Sequence, residues 1–155
     1  MSASDQDVVA GLLGRKPRGF AVVVRDREGE PVVISNPPIL DDSTPMPTLY
    51  WLVGREVSIA VSRLEAVGGV KDAEASVDPE ALEAAHARYA GERDRELPEG
   101  HDGPLPSGGV GGTRRGVKCL HAHFAWYLAG GDDPVGLWVA DKLGISRSDF
   151  VVPAR

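Results

Sequence analysis

The chain carries one cysteine in 155 residues, so an intramolecular disulfide is impossible and a cytosolic setting is expected. It has no excess of positive charge. Lys and Arg number 17 against 23 Asp and Glu, a formal net charge of −6. That balance argues against a general nucleic-acid binder, whose affinity comes from cations on phosphates. No run approaches the ~18 apolar residues of a membrane span, so membrane insertion is not expected. The stretch from Met1 to Gly14 lacks an apolar signal core, and a cytoplasmic protein is the resulting expectation. Internal repeats and composition breaks are also missing, which predicts a single domain over 1–155.

What is abundant is glycine and proline, with 19 and 12 residues. They cluster, which predicts long ordered loops around a small scaffold. The longest runs from about 97 to 116. Apolar residues make up 42% of the chain and charged ones 26%, ordinary values for a globular domain with its own core.

Periodicity places the elements. Ser4 to Leu13 reads as a short helix, capped by Ser4 and stopped by Gly14 and Pro17. Phe20 to Val24 and Val32 to Ile34 are β-branched runs flanking the turn cluster Asp26 to Glu30, a hairpin signal. Leu49 to Val53 predicts a third strand after the proline-rich loop 36–48. Arg55 to Val67 has helical spacing and ends at Gly68-Gly69. Asp78-Pro79-Glu80 opens a helix that turns Leu82, Ala85, His86 and Tyr89 to one face. Val117 to Ala129 is helix-compatible and apolar on nearly every side, so its aromatics are expected in the core. Asp133-Pro134 caps a last helix through Leu143, and Phe150 to Val152 forms a short strand or coil. The expected class is α+β: a small antiparallel sheet of about three strands packed with four to five helices.

The densest chemistry lies between Gly108 and Gly136. Gly108, Gly109, Gly111, Gly112 and Gly116 alternate with Thr113, Arg114, Arg115 and Lys118 just before the predicted helix. Glycines let backbone N–H groups approach an anion, a helix start adds partial positive charge, and guanidinium groups clamp phosphate or carboxylate. This predicts a site for a small anionic ligand, phosphorylated or carboxylated, built from Gly111, Gly112, Thr113, Arg114, Arg115, Gly116 and Lys118, with His121 assisting. The plain alternative is a solvated loop whose arginines pair with the many carboxylates. The segment is not a P-loop, because Val117 stands where lysine is required and no strand feeds the loop. No cofactor motif is found.

Cys119, His121 and His123 suggest two further readings. Cys119 and His123 are four apart and share a helical face, whereas His121 points about 200° away. Two side chains make half of a tetrahedral metal site, so a metal is not favoured, with Cys119 and His123 its weak candidates. As an enzyme, the chain would use Cys119 as nucleophile and His123 as base in acyl or phosphoryl transfer, requiring a depressed thiol pKa. Against both stands ordinary packing, since a lone cysteine is usually buried and inert.

Three blocks carry a family resemblance: PTLYWL (Pro47 to Leu52), AVSRLEAVGG (Ala60 to Gly69) and KCLHAHFAWYLAGGDDPVG (Lys118 to Gly136). They resemble the uncharacterised, mainly actinobacterial family known as domain of unknown function 501. The resemblance implies an architecture, not a reaction. Its gene neighbours, which include an exopolyphosphatase and a septum-formation-initiator-like protein, imply phosphate chemistry or a protein partner linked to cell division.

Overall fold

The computed structural model describes residues 4–14 and 19–152. A three-stranded antiparallel sheet, ordered β1-β2-β3, consists of β1 (Ala21–Arg25), β2 (Pro31–Ser35) and β3 (Tyr50–Leu52). The β1–β2 hairpin is closed by Asp26, whose Oδ1 accepts from the amides of Glu28 and Glu30 at 2.9 Å each. Val33 lies opposite Leu52, and Ile34 opposite Trp51, across β2 and β3. Val151 pairs with Arg25 at the free edge of β1 through two 2.8 Å hydrogen bonds, so the terminal segment adds one bridge rather than a strand.

Helix α1 (Asp5–Leu13) covers one face of the sheet. Ser4 caps it by accepting from the Asp7 amide, and left-handed Gly14 ends it. The expected stop at Pro17 lies outside the described residues. Val9 of α1 packs with Ile34 and Val53, flanked by Phe20, Val22 and Trp51. The other face meets the main core, which explains why β2 is buried along Pro31 to Ile34 instead of alternating.

Five more α-helices follow: α2 (Arg55–Ala66), α3 (Gly69–Ser76), α4 (Pro79–Asp94), α5 (Leu120–Leu128) and α6 (Pro134–Leu143). Six α-helices thus stand among the described residues, slightly above the expected four to five. The addition is α3, hidden by the Gly68-Gly69 pair. Gly68 is left-handed at φ +89° and terminates α2, but Gly69 at once begins α3. A Cβ at Gly69 would lie 2.5 Å from the Leu64 carbonyl oxygen, so the glycine permits a close corner between helices.

The core is organised by α5, which buries Leu120, Ala122, His123, Phe124, Ala125, Trp126 and Leu128 and packs against α6, β3 and α2. Burying a large apolar side chain contributes roughly 1.5–3 kcal/mol, and this short helix provides four. It starts at Leu120, not at Val117 as the apolar pattern suggests. Cys119 is extended (φ −151°, ψ 151°) and its side chain caps nothing. Glu65 of α2 replaces the missing cap, accepting from the Leu120 amide at 2.7 Å. Helix α4 runs through Glu92 and Arg93 to Asp94, because Arg93 continues its inward face rather than opening a charged tail. The segment 95–119 has no α-helix or strand, only a 3₁₀ turn at Val110–Gly112.

Candidate functional site

Two side chains of α4, His86 and Arg93, bolt the glycine-rich loop to that helix. His86 is 3% exposed. Its Nδ1 accepts from the Val110 amide at 3.0 Å, and Nε2 lies 2.8 Å from the Gly116 carbonyl oxygen. An amide donating to Nδ1 requires a bare lone pair there, so the proton sits on Nε2 and the ring is neutral. Burial pulls the His86 pKa below its ordinary value, while the Gly116 carbonyl pulls the other way.

Within the loop, the amides donate to its own carbonyls: Gly109 to Thr113 at 2.7 Å, Gly112 to Gly109 at 3.0 Å, and Thr113 to Val110 at 3.4 Å. A Cβ at Gly109 would stand 2.5 Å from the His86 Cβ, and one at Gly108 2.3 Å from the Gly112 oxygen. Two glycines are thus required by close approach of backbone to backbone and to α4. At the head of α5, the Leu120 amide donates to the Glu65 carboxylate. Of the main-chain amides expected to cradle an anion, those of Gly112 and Thr113 thus donate within the loop, and that of Leu120 at the helix start donates to Glu65.

What remains is side-chain charge around a cleft of about 410 Å³ between α4 and the loop, lined by Glu83, His86, Arg93, Asp94, Gly108, Gly109 and Arg114 among others. Arg93 is 1% exposed. Its Nη1 donates to the carbonyls of Gly108 at 2.9 Å and Pro47 at 3.2 Å, and its Nε to Asp94 at 3.0 Å. This fixes the loop against both α4 and the extended segment leading into β3. The sequence pattern places Arg93 four residues after Tyr89 on the inward face of α4, and that spacing was the available sign of its burial.

The expected ligand residues separate. Arg114 is exposed beside the cleft. Arg115 forms an exposed ion pair with Glu83 at 3.7 Å. Lys118 lies over Gly111, where an added Cβ would be 3.4 Å from its side chain. Thr113 turns its hydroxyl to the Arg115 carbonyl at 2.9 Å. Gly112 and Gly116 are left-handed turns, and a Cβ at Gly116 would meet Glu74. His121 turns to α2 instead, with Nε2 3.1 Å from Ser62 Oγ and Nδ1 3.2 Å from Glu65 Oε1.

Cys119 and His123 part as well. His123 is fully buried, with Nδ1 2.6 Å from Asp133 Oδ2. The other Asp133 oxygen caps α6 through the Val135 amide at 2.9 Å. His123 Nε2 is buried without a hydrogen-bond partner, and the ring meets His86 edge to face with centroids 5.7 Å apart. Cys119 is half-buried against the core, and burial pushes its thiol pKa up, opposite to what a nucleophile needs. Among the described residues no group of three or more His, Cys, Asp and Glu side chains is arranged to hold a metal ion.

Sequence spacing did not reveal a third polar arrangement behind α4. Tyr89 Oη accepts from the amides of Leu49 at 2.6 Å and Tyr50 at 3.2 Å, and burial raises its pKa to about 12. Glu92 accepts from Tyr50 Oη and Trp126 Nε1, each at 2.8 Å. These contacts anchor α4 to β3 and α5, giving the cleft a rigid wall. Among the described residues no helix is long and apolar enough to cross a membrane.

No curated protein and no solved structure matches the chain. The family described as Protein of unknown function (DUF501) matches residues 22–141, a span that holds nearly all of the sheet, the cleft and most of α6, and the chain belongs to that family.

Proposed function

We propose that this protein binds a small anionic ligand, phosphorylated or carboxylated, in the cleft between α4 and the glycine-rich loop. One observation carries the reading. Two arginines line the cleft, Arg93 and Arg114; Arg93 is matched by Asp94 and the lining Glu83 by Arg115 outside it, so Arg114 remains without a hydrogen bond or ion pair among the described residues. The cleft therefore keeps one uncompensated positive charge in a chain of net charge −6. Arg93, buried and tied to Asp94 and to the loop carbonyls, forms part of the cleft wall. A planar guanidinium fits a phosphate or carboxylate through two parallel hydrogen bonds.

Isothermal calorimetry with phosphate, pyrophosphate and malonate tests the reading. A charge-assisted hydrogen-bonded contact is worth roughly 1.5–3 kcal/mol, so Arg114→Ala should weaken binding about 10- to 150-fold. Arg115→Ala should change it little, because that charge is exposed and already paired. Indifference of the wild type to all three anions, or equal binding by Arg114→Ala, defeats the proposal. The cysteine-dependent reading has less support, given the raised Cys119 thiol and the engagement of His123 with Asp133.

A further inference from the structure

On the α2 side, three polar residues form a chain of contacts that the anion cleft does not use. Ser58, Ser62 and Glu65 recur at helical spacing along α2, and His121 in the first turn of α5 lies against them. Ser62 Oγ is 3.1 Å from His121 Nε2, and His121 Nδ1 is 3.2 Å from Glu65 Oε1. Glu65 is itself held, because its second oxygen accepts from the Leu120 amide at 2.7 Å. In the tautomer with its proton on Nδ1, the ring faces the acceptor-only Glu65 carboxylate and turns the Nε2 lone pair to the Ser62 hydroxyl. The Ser58 carbonyl oxygen is 3.3 Å from the same Nε2 and can only accept, so it competes with Ser62 whenever that nitrogen carries the proton. Ser62 is exposed, and the His121 and Glu65 side chains are 29% and 25% exposed, so solvent reaches the array. One turn away along α2, a hollow of about 320 Å³ is lined by Leu12, Leu13, Leu52, Val53 and Ile59, with Ser58 and Arg55 as its polar residues.

We propose that Ser62, His121 and Glu65 form a nucleophile, base and positioning carboxylate that transfer a short aliphatic acyl group from an ester, with the acyl chain in the Ser58–Ile59 hollow. Ser62 Oγ attacks the ester carbonyl carbon while its proton passes to His121 Nε2. The carbon–oxygen bond to the leaving alcohol breaks as Nε2 returns that proton to it, leaving Ser62 acylated. A water molecule, deprotonated by the same nitrogen, then attacks the acyl carbon, and Ser62 Oγ departs with the proton. Ser62 lies well inside α2, where its own amide is committed to the helix. The expected acceleration is accordingly that of general-base assistance, about 10²–10⁴-fold, far short of a protease.

The test combines p-nitrophenyl butyrate hydrolysis with mass spectrometry of the protein after treatment with a fluorophosphonate. The expected result is a single adduct on Ser62 and a hydrolysis rate that falls at least a hundredfold in Ser62→Ala and in His121→Gln. Ser62→Ala removes one exposed hydroxyl, so its circular dichroism and thermal midpoint should match the wild type. Glu65→Gln keeps an acceptor for the Leu120 amide, yet long-range ¹H–¹⁵N spectra should show the His121 proton moving from Nδ1 to Nε2. Adducts scattered over several serines, or a rate unchanged in His121→Gln, would reduce the array to a clasp between α2 and α5. Equal rates for acetate and butyrate esters would overturn the assignment of the hollow.

Discussion

Protonating His86 should release the glycine-rich loop, and the cost can be worked from two hydrogen bonds. At neutral pH its Nδ1 accepts from Val110 and its Nε2–H donates to Gly116. A second proton occupies Nδ1 and leaves the buried Val110 amide facing a donor. Stranding such an amide costs roughly 1–3 kcal/mol. For a chain of this length that corresponds to a fall in Tm of roughly 2–12 °C. The neighbouring charges divide, with His123 opposing protonation and Asp133 and Glu83 favouring it, but burial is the largest influence and lowers the pKa. The direction follows by linkage: with the folded pKa below the ordinary 6.5, the unfolded chain binds more protons in the window beneath that value. The stabilisation is full above about pH 6.5 and is lost as pH falls towards the folded-state pKa. His86→Gln supplies the comparison, since glutamine can still donate to Gly116 but offers Val110 no acceptor at the Nδ1 position. Thermal midpoints of both proteins measured from pH 7.5 to 5 should converge as the wild type loses the contact the variant never had. A gap that stays constant or widens on acidification would refute the reasoning.

Tyr89→Phe should destabilise the protein by roughly 2–4 kcal/mol, because the Leu49 and Tyr50 amides lose their shared acceptor with no change in ring packing. Urea denaturation with an unchanged slope checks this, and a loss below about 0.5 kcal/mol would contradict it. Cys119 should react slowly with iodoacetamide at pH 7.5 and at least about tenfold faster once urea unfolds the chain, since burial holds its thiol protonated. Fast labelling of the folded protein would reinstate a reactive cysteine.

Most secondary structure was legible because its signals are local. Ser4, Asp78-Pro79 and Asp133-Pro134 all cap the helices they announce. The β-branched runs around Asp26 to Glu30 form the hairpin, and the apolar girdle of α5 is buried. The failures came where a remote residue supplies what local sequence lacks. Nothing near Val117 reveals that α5 waits until Leu120, because the capping carboxylate belongs to Glu65, 55 residues earlier. Likewise Gly68-Gly69 resembles a simple stop, whereas the second glycine is needed by the approach of Leu64.

The candidate sites divide in the same way. Composition already pointed to the glycine-rich loop and to Arg114, since clustered glycine and arginine are visible without coordinates. Periodicity already placed His86 and Tyr89 on the buried face of α4. Tertiary structure alone decided that the Gly109, Gly112 and Thr113 amides serve the loop itself, that His86 and Arg93 hold it, and that His121 faces Ser62 and Glu65 while His123 faces Asp133. The reason is physical: helix and turn propensities act over a few neighbouring residues, whereas hydrogen-bond partners are chosen by whichever groups packing brings within about 3 Å.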